Sequence, residues 1–156
     1  MTRQTQGVST VSDQHIDPER AQFDAFKALP RDTPIHMLNL VRFRDEAAYP
    51  ADHPLAAQGL SGSQAYAHYG KDSAAVFQRV GGRIVWRGTM ETMVIGPADE
   101  HWDAVFIAEY PGGGAFMEMV TDPVYRQAVV HRQAAVETSR LIRCNPSPSP
   151  SGTVFG

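Results

Sequence analysis

Two consecutive strand-like segments within residues 81–111 restrict the fold of this chain more than any other feature. The stretch reads GGRIVWRGTMETMVIGPADEHWDAVFIAEYP. It predicts a long first strand over residues 83–95, with Gly88 marking a bulge or a bend. Residues 96–97 (Gly-Pro) end that strand, and a second strand follows over residues 102–110. Strands joined by a short polar turn pair antiparallel, so the fold must contain this hairpin between its flanking elements.

Helix-start signals occur at three places along the chain. Asp17-Pro18-Glu19 combines a capping Asp, a Pro at the first helical position and an acid at the positive end of the helix dipole. Ser61 and Gln64 have the spacing of a capping box, and their helix runs to about Val80. Asp122-Pro123 repeats the Asp cap and the first-position Pro. The residues predicted to face the core are Phe23, Phe26 and Leu29 in the first helix, Tyr69, Ser73, Val76, Phe77 and Val80 in the second, and Val124, Ala128, Val129 and Ala135 in the third.

Two further segments have strand character. Ile35–Phe43 (IHMLNLVRF) carries apolar residues on both faces, which is typical of a strand that is covered on both sides. Val136–Arg143 (VETSRLIR) is partly alternating and β-branched, and Ala115–Val120 predicts a short helical turn. The order is then an extra N-terminal helix followed by β-α-β-β-α-β. This is the ferredoxin-like α+β arrangement, in which one antiparallel four-stranded sheet carries two helices on one face.

The other face of this sheet is also predicted to be apolar. Its expected members are Leu38, Leu40, Ile84, Trp86, Val105 and Ile107. So large an apolar area is not stable in contact with water. A second copy of the sheet is the simplest cover, so we expect a homodimer formed through the sheet faces.

Composition excludes several classes of protein. The 14 basic and 17 acidic residues give a net charge of −3, whereas a nonspecific nucleic-acid binder has a basic face. No apolar run is long enough for a transmembrane helix or a Sec-type signal, so we expect no membrane partner and a cytoplasmic location. Cys144 is the single cysteine, which excludes an intrachain disulfide. Polar and Pro/Ser-rich ends predict flexible tails over residues 1–16 and 145–156, around one domain of residues 17–144.

Six short motifs in a fixed order resemble the DUF1330 family over residues 35–144. They are MLNLVRFRD, AYAHYG, GGRIVWRG, WDAVFIAEYP, MVTDPVYRQAVVHRQAA and SRLIRC. That family belongs to the dimeric α/β-barrel superfamily, so the resemblance implies a ferredoxin-like protomer, a sheet-to-sheet dimer and a pocket between sheet and helices. Relatives in the superfamily include small monooxygenases acting on polyketide quinones, muconolactone isomerases and haem-binding dehydratases. The fold therefore does not select one reaction.

Polar and aromatic residues within apolar elements are the candidate ligand-binding residues. Asn39 lies between two leucines, where it either orients a ligand oxygen or satisfies a strand edge. Arg42 is either a ligand contact or a charge at a strand end. Tyr66 and Tyr69 share one helix face and either donate to an aromatic, quinone-like ligand or pack in the core with hydrated hydroxyls. Trp86 is either a pocket wall or part of the dimer core.

His131 and Glu109 are the candidate catalytic residues. Histidine is the usual general base near neutral pH, although a cation near the end of a helix is also expected from the helix dipole. The adjacent Arg132 is a candidate ligand contact. Glu109 lies near the end of an apolar strand and is a candidate acid or base partner. The six histidines lack HxxxH and HExxH spacing, so we expect no metal site and no cofactor, with haem left open.

Two classes of function fit these residues. The first is a cofactor-independent oxygenase or isomerase that acts on a small hydrophobic, oxygenated ligand. It requires five side chains to converge on one pocket, namely Asn39, Tyr66, Tyr69, Trp86 and His131. The second is a noncatalytic ligand-binding or protein-interaction dimer, which requires no base beside the ligand. The positions of the five side chains distinguish the two.

Overall fold

A computed structural model describes residues 14–146 of the chain. Within these residues, four helices and four strands follow one another as α1 (Arg20–Ala28), β1 (Ile35–Phe43), α2 (Gly62–Arg79), β2 (Arg83–Gly88), β3 (Ala104–Tyr110), α3 (Gly113–Thr121), α4 (Pro123–Ala135) and β4 (Val136–Cys144). A 3-10 turn, Ala56–Gln58, lies in the loop between β1 and α2. No helix within the described range is long and apolar enough to cross a membrane.

The four strands form one antiparallel sheet in the order β2-β3-β1-β4. β1 is central, and its Asn39 lies opposite Phe106 of β3 on one side and Leu141 of β4 on the other. The helices pack against one face of this sheet. The ferredoxin-like α+β fold predicted from the sequence is therefore confirmed.

The core lies between the helices and this sheet face, in two clusters. The larger cluster contains Ile35, Met37, Val76, Val80, Ala108, Tyr110, Phe116, Met119 and Tyr125. The smaller contains Val41, Ala65, Ala135 and Val136, all of them fully buried. Residues from both layers contribute to each cluster, so burial of apolar area holds helices and sheet together.

Two of the predicted helix starts are confirmed. The Ser61 hydroxyl accepts from the backbone N–H of Gln64 at 3.0 Å, and the Gln64 side chain accepts from the backbone N–H of Ser61 at 2.9 Å. This reciprocal pair is a complete capping box for α2. At α4, the Asp122 carboxylate accepts from the backbone N–H of Val124 at 2.7 Å, with Pro123 as the first helical residue.

The predicted start of α1 is wrong. The residue before the helix is Glu19, and its side chain makes no capping hydrogen bond. Asp17 instead accepts from the Gln133 side chain of α4, at 3.2 and 3.3 Å to its two oxygens. A partner distant in sequence has therefore replaced the local cap. Leu29, predicted on the apolar stripe, follows the end of the helix and is 48% exposed.

Strand β2 ends at Gly88, so the strand predicted over residues 83–95 is too long. Gly88 pairs with Val105, the second residue of β3. Among residues 14–146, the residues that follow Gly88 therefore have no strand to pair with. A strand needs such a partner for its backbone hydrogen bonds, which is why the pattern continues but the strand stops.

A shift of register within β2 reverses the faces of its side chains. Ile84 pairs with Ala108, but Trp86 pairs with Ile107. Adjacent residues of β3 point to opposite sides of the sheet, so Ile84 and Trp86 do too. The prediction that these two residues share the face away from the helices is therefore wrong: Ile84 packs against the core, and Trp86 is 52% exposed on the other side.

The third predicted helix faces the core with Ala128, Val129 and Ala135, as expected, but not with Val124. The predicted helical turn is longer than expected. Val124, predicted to face the core, is 54% exposed, whereas Tyr125 is 8% exposed. α4 packs mainly against α2, and position 125 faces the core in this arrangement. The turn expected over residues 115–120 is the helix α3. The extended Gly112 before it is required by close packing, because a Cβ there would lie 2.1 Å from the Arg31 carbonyl oxygen.

Candidate ligand-binding cleft

A cleft of about 1850 Å³ lies between the sheet and the helices. Asn39 of β1 contributes to its floor, α2 contributes Tyr66 and Tyr69, and α4 contributes Arg132. The N-terminal segment, from residue 14 to residue 29, borders its outer side. Four of the predicted ligand-binding residues therefore lie together in one cleft.

Tyr66, Tyr69 and Tyr125 are three of the four tyrosines that line the cleft, and the fourth is Tyr110. The hydroxyls of Tyr69 and Tyr125 share a hydrogen bond of 2.8 Å. The Tyr66 ring packs on that of Tyr69 with 5.3 Å between centroids, but its hydroxyl has no hydrogen-bond partner among the described residues. Burial raises the pKa of all three phenols, and at Tyr66 the charges of Arg132 and Arg87 oppose this only in part. Tyr66 therefore keeps its proton at neutral pH and can donate it to a ligand oxygen in a hydrogen bond.

Asn39 supplies an acceptor on the floor of the cleft. Its Nδ2 donates to the backbone carbonyl of Met37 at 3.0 Å. Its Oδ1 has no partner within residues 14–146, and the side chain is half-buried. Asn39 and Tyr66 thus offer one free acceptor and one free donor to the same space.

Arg132 ties the N-terminal segment to the fold. Its Nη1 donates to the backbone carbonyl of Ile16 at 2.5 Å, and its Nη2 donates to the Ser139 hydroxyl at 3.1 Å. Ser139 in turn donates from its backbone and its hydroxyl to the carbonyl of His15, both at 2.8 Å. The end of the predicted tail 1–16 is therefore bound to β4, whereas residues 1–13 and 147–156 lie outside the described residues.

The C-terminal end of α1 is tied down by a second arginine. Arg143 donates to the carbonyls of Phe26 at 3.2 Å and Pro30 at 2.6 Å, and its guanidinium lies 4.8 Å from the centre of the Phe26 ring. No residue of α1 is buried. The helix is therefore held at its two ends while its middle lies along the cleft.

His131 lies outside the cleft, although it is 8% exposed. Its Nδ1 is 2.6 Å from the Tyr49 hydroxyl, and its Nε2 is 3.2 Å from a carboxylate oxygen of Asp72. The rings of His68 and His53 lie 5.3 and 5.5 Å from it. Burial lowers its pKa, and the nearby Asp72 carboxylate opposes this. These contacts join the loop before α2 to α2 and α4.

Glu109 faces the side of the sheet away from the cleft. Its carboxylate is 2.8 Å from Nε2 of His36 and 2.7 Å from Nε of Arg83. The hydrogen bonds from His36 and Arg83 lower the pKa of the carboxyl. Glu109 is thus the centre of a charged cluster on the open face of the sheet.

Arg42 and Trp86 lie on this same open face. Arg42 donates weakly to two backbone carbonyls of the β2–β3 connection and lies 4.0 Å from Glu137. The Trp86 ring lies over Gly88, where a Cβ would approach it to 2.6 Å. The five side chains required for the enzyme hypothesis therefore do not converge, because Trp86 and His131 point elsewhere.

The sequence does not predict that Tyr125 and Arg87 line the cleft. Tyr125 is missed because the apolar pattern of α4 favours the exposed Val124 instead. Arg87 is missed because strict alternation places it on the face of Arg83, whereas the bulge turns it to the cleft. The three-residue spacing of Tyr125 and Ala128 is the signal that points to the true face of α4.

The described residues contain no group of three or more His, Cys, Asp or Glu side chains arranged to hold a metal ion. Within that part of the chain, the one histidine lining the cleft is His15, which is exposed at its outer side. The cleft therefore presents tyrosine, arginine and amide groups to a ligand.

Comparison with known proteins gives one family and several solved structures. The family described as "Domain of unknown function (DUF1330)" matches residues 56–143. A protein of unknown function from Rhodopseudomonas palustris, known from a crystal structure, is 58% identical in sequence to this chain. The two structures have a TM-score of 0.80, and the match covers 87% of this chain and 99% of that chain. Its methylated form is 56% identical, with a TM-score of 0.81 over 90% and 99%.

A more distant solved structure also matches. It is a dimeric protein of unknown function and ferredoxin-like fold from Bacteroides fragilis, 13% identical, with a TM-score of 0.43 over 72% of this chain and 95% of that chain. The comparison with curated proteins gave no match. The family match spans more than half of the 156 residues, and the R. palustris protein is alike over nearly its full length. This chain therefore belongs to the DUF1330 family.

Proposed function

We propose that this protein binds a small, hydrophobic, oxygenated ring compound in the cleft. The observation that carries this proposal is the pair of unpartnered groups, the Tyr66 hydroxyl and the Asn39 amide oxygen, in one largely apolar space. Ligand pockets combine apolar walls with a few placed polar groups, and sheltered polar groups are normally hydrogen-bonded. A hydroxylated aromatic compound gives both groups a partner, because its hydroxyl oxygen accepts from Tyr66 and its hydroxyl hydrogen is donated to Asn39.

Binding without catalysis is supported by where the titratable groups lie. Neither candidate base lines the cleft, since His131 is bonded to Tyr49 and Asp72, and Glu109 faces the far side of the sheet. The tyrosines inside the cleft hold their protons more tightly than free phenols. They therefore suit hydrogen bonding to a ligand better than proton abstraction, and binding of this kind needs no cofactor.

Calorimetric titration of the full chain with 2-naphthol tests this function. We expect saturable binding, weakened about three- to tenfold in Tyr66→Phe because one hydrogen bond is lost. Tyr49→Phe is the matched control, since it removes a phenol hydroxyl outside the cleft and is expected to leave binding unchanged. Absence of binding by 2-naphthol and its dihydroxylated analogues, or an equal loss in both variants, contradicts the proposal.

We also propose that two copies associate through the open face of the sheet. Leu38, Leu40, Val105 and Ile107 are only half-buried there, and Trp86 is 52% exposed. Such a continuous apolar surface marks an interaction site. The same surface is offered by a second copy, and a two-fold interface is self-complementary.

The segment between β2 and β3 supports the same partner. Val94 is 85% and Ile95 is 92% exposed, and they follow β2 in the connection to β3. Two large apolar side chains left almost fully in water are costly. We infer that the same second copy covers this segment.

Light scattering coupled to size exclusion tests the dimer. Trp86→Glu places a charge on the exposed apolar face and is expected to convert a dimer to a monomer. Val124→Glu is the matched control, because Val124 is 54% exposed but lies on α4. A wild-type monomer at micromolar concentration, or dissociation in both variants, would refute this interface.

A further inference from the structure

The cleft is basic although the chain as a whole is acidic. The chain carries a net charge of −3. Among the residues that line the cleft, two are acidic, Asp17 and Glu19, and both are exposed at its outer side. Seven are arginines, and two of these, Arg83 and Arg140, hold strand positions that face the other side of the sheet. The other five are Arg20, Arg87, Arg126, Arg132 and Arg143. Positive charge is therefore concentrated where the proposed ligand lies.

Little of this positive charge is neutralised by the protein. Among the seven arginines, Arg83 has an ion pair within the described residues, and that pair is with Glu109 on the opposite face. Arg132 bonds to a backbone carbonyl and a hydroxyl, and Arg143 bonds to two backbone carbonyls. These acceptors are neutral, so both guanidinium charges remain uncompensated.

Arg87 has both a free side chain and a position beside the ligand groups. It makes no hydrogen bond or ion pair with any described residue. Its strand position lies opposite Phe106, which is itself opposite Asn39. Its charge and that of Arg132 act on the Tyr66 hydroxyl from β2 and from α4. Two guanidinium groups and one phenol donor therefore line the same cleft.

We propose, on the basis of the ligand-binding function above, that the ligand is an aromatic carboxylate whose anionic group is bound by Arg87. The Tyr66 hydroxyl donates a further hydrogen bond, and Arg132 adds a fixed positive charge. A guanidinium matches a carboxylate with two parallel N–H donors, and charge-assisted hydrogen bonds are about twice as strong as neutral ones. The apolar walls and tyrosine rings receive the rest of the molecule.

Calorimetry with the full chain tests whether the cleft prefers a carboxylate, separately from whether it binds an aromatic compound at all. The probes are 2-naphthoate and 2-naphthol, which share one ring system and differ in charge at neutral pH. We expect 2-naphthoate to bind about tenfold more tightly, and this preference to shrink as salt is raised because the attraction is electrostatic. Arg87→Gln is expected to weaken 2-naphthoate binding about tenfold and so to remove the preference.

Arg83→Gln is the matched control, since it removes an arginine of the same strand that points to the other face. We expect it to keep the preference for 2-naphthoate. Equal affinities of the two probes, or a preference that survives Arg87→Gln, overturn the carboxylate assignment while the proposed function stands. Binding of neither probe overturns both. Both arginines are exposed, so the variants are expected to fold.

Discussion

Removing single tyrosine hydroxyls, and measuring the free energy of unfolding, distinguishes hydroxyls that stabilise the fold from hydroxyls that have no structural partner. Tyr69→Phe deletes one side of the 2.8 Å hydrogen bond with Tyr125. It leaves the Tyr125 hydroxyl, in a residue only 8% exposed, without its partner. The lost bond and the unsatisfied group together are expected to lower the free energy of unfolding by about 1–2 kcal/mol. Tyr66→Phe deletes a hydroxyl with no described partner, so its effect should stay within about 0.5 kcal/mol.

The double variant Tyr69→Phe/Tyr125→Phe tests the same bond from both sides. Because it removes donor and acceptor together, no hydroxyl is left unsatisfied. Its cost is expected to be smaller than the sum of the two single costs by about 1 kcal/mol. Urea unfolding of the ligand-free proteins, followed by circular dichroism at one protein concentration and neutral pH, measures all these differences.

Two results would refute this reasoning. If Tyr66→Phe destabilises the protein as much as Tyr69→Phe, the Tyr66 hydroxyl has a structural role and is not free for a ligand. If the costs of Tyr69→Phe and Tyr125→Phe add without interaction, the two hydroxyls do not form a coupled pair. In the first case the ligand-binding function loses the observation that carries it.

Burial lowers the pKa of His131 below its ordinary 6.5. As the pH falls below 6.5, the unfolded chain therefore binds a proton at this residue more readily than the folded chain does. The melting temperature is therefore expected to fall as the pH decreases below 6.5, and His131→Gln to flatten that slope. Ser61→Ala removes half of the capping box and should cost about 1 kcal/mol in urea unfolding. Gly112→Ala forces a methyl group to 2.1 Å from the Arg31 carbonyl oxygen and should prevent stable folding, seen as loss of soluble protein. Gly70→Ala, with open space around its Cβ within α2, should instead raise stability by about 0.5–1 kcal/mol.

Short sequence motifs predict those parts of the fold in which the interacting residues lie within a few positions of each other in the sequence. The Ser61–Gln64 box and the Asp122-Pro123 start are both present because their donors and acceptors are sequence neighbours. The Asp17 cap fails, although its local signal is as good, because Gln133 provides a partner that the sequence does not place nearby. A wrong helix start changes the bounds of an element but not the order of strands and helices, which is why the fold class is predictable.

The membership of the cleft is predictable only in part. Tyr66 and Tyr69 are found together because their spacing places both on one helical face, and helical spacing does not depend on neighbours. Asn39 is found because an amide within an apolar strand is conspicuous. The rotation of α4, which brings in Tyr125 and turns His131 toward Tyr49, is set mainly by packing against α2.

The strands at residues 83–110 show the same division most clearly. The alternation of residue types is enough to predict two antiparallel strands, their order in the chain and an apolar face that needs a partner. The faces of Trp86 and Arg87 follow from a register shift that exists only relative to β3. The end of β2 likewise depends on where β3 begins, because backbone groups need a partner strand for their hydrogen bonds. Pairing between distant segments thus decides which side chains enter the cleft and which lie on the open face of the sheet.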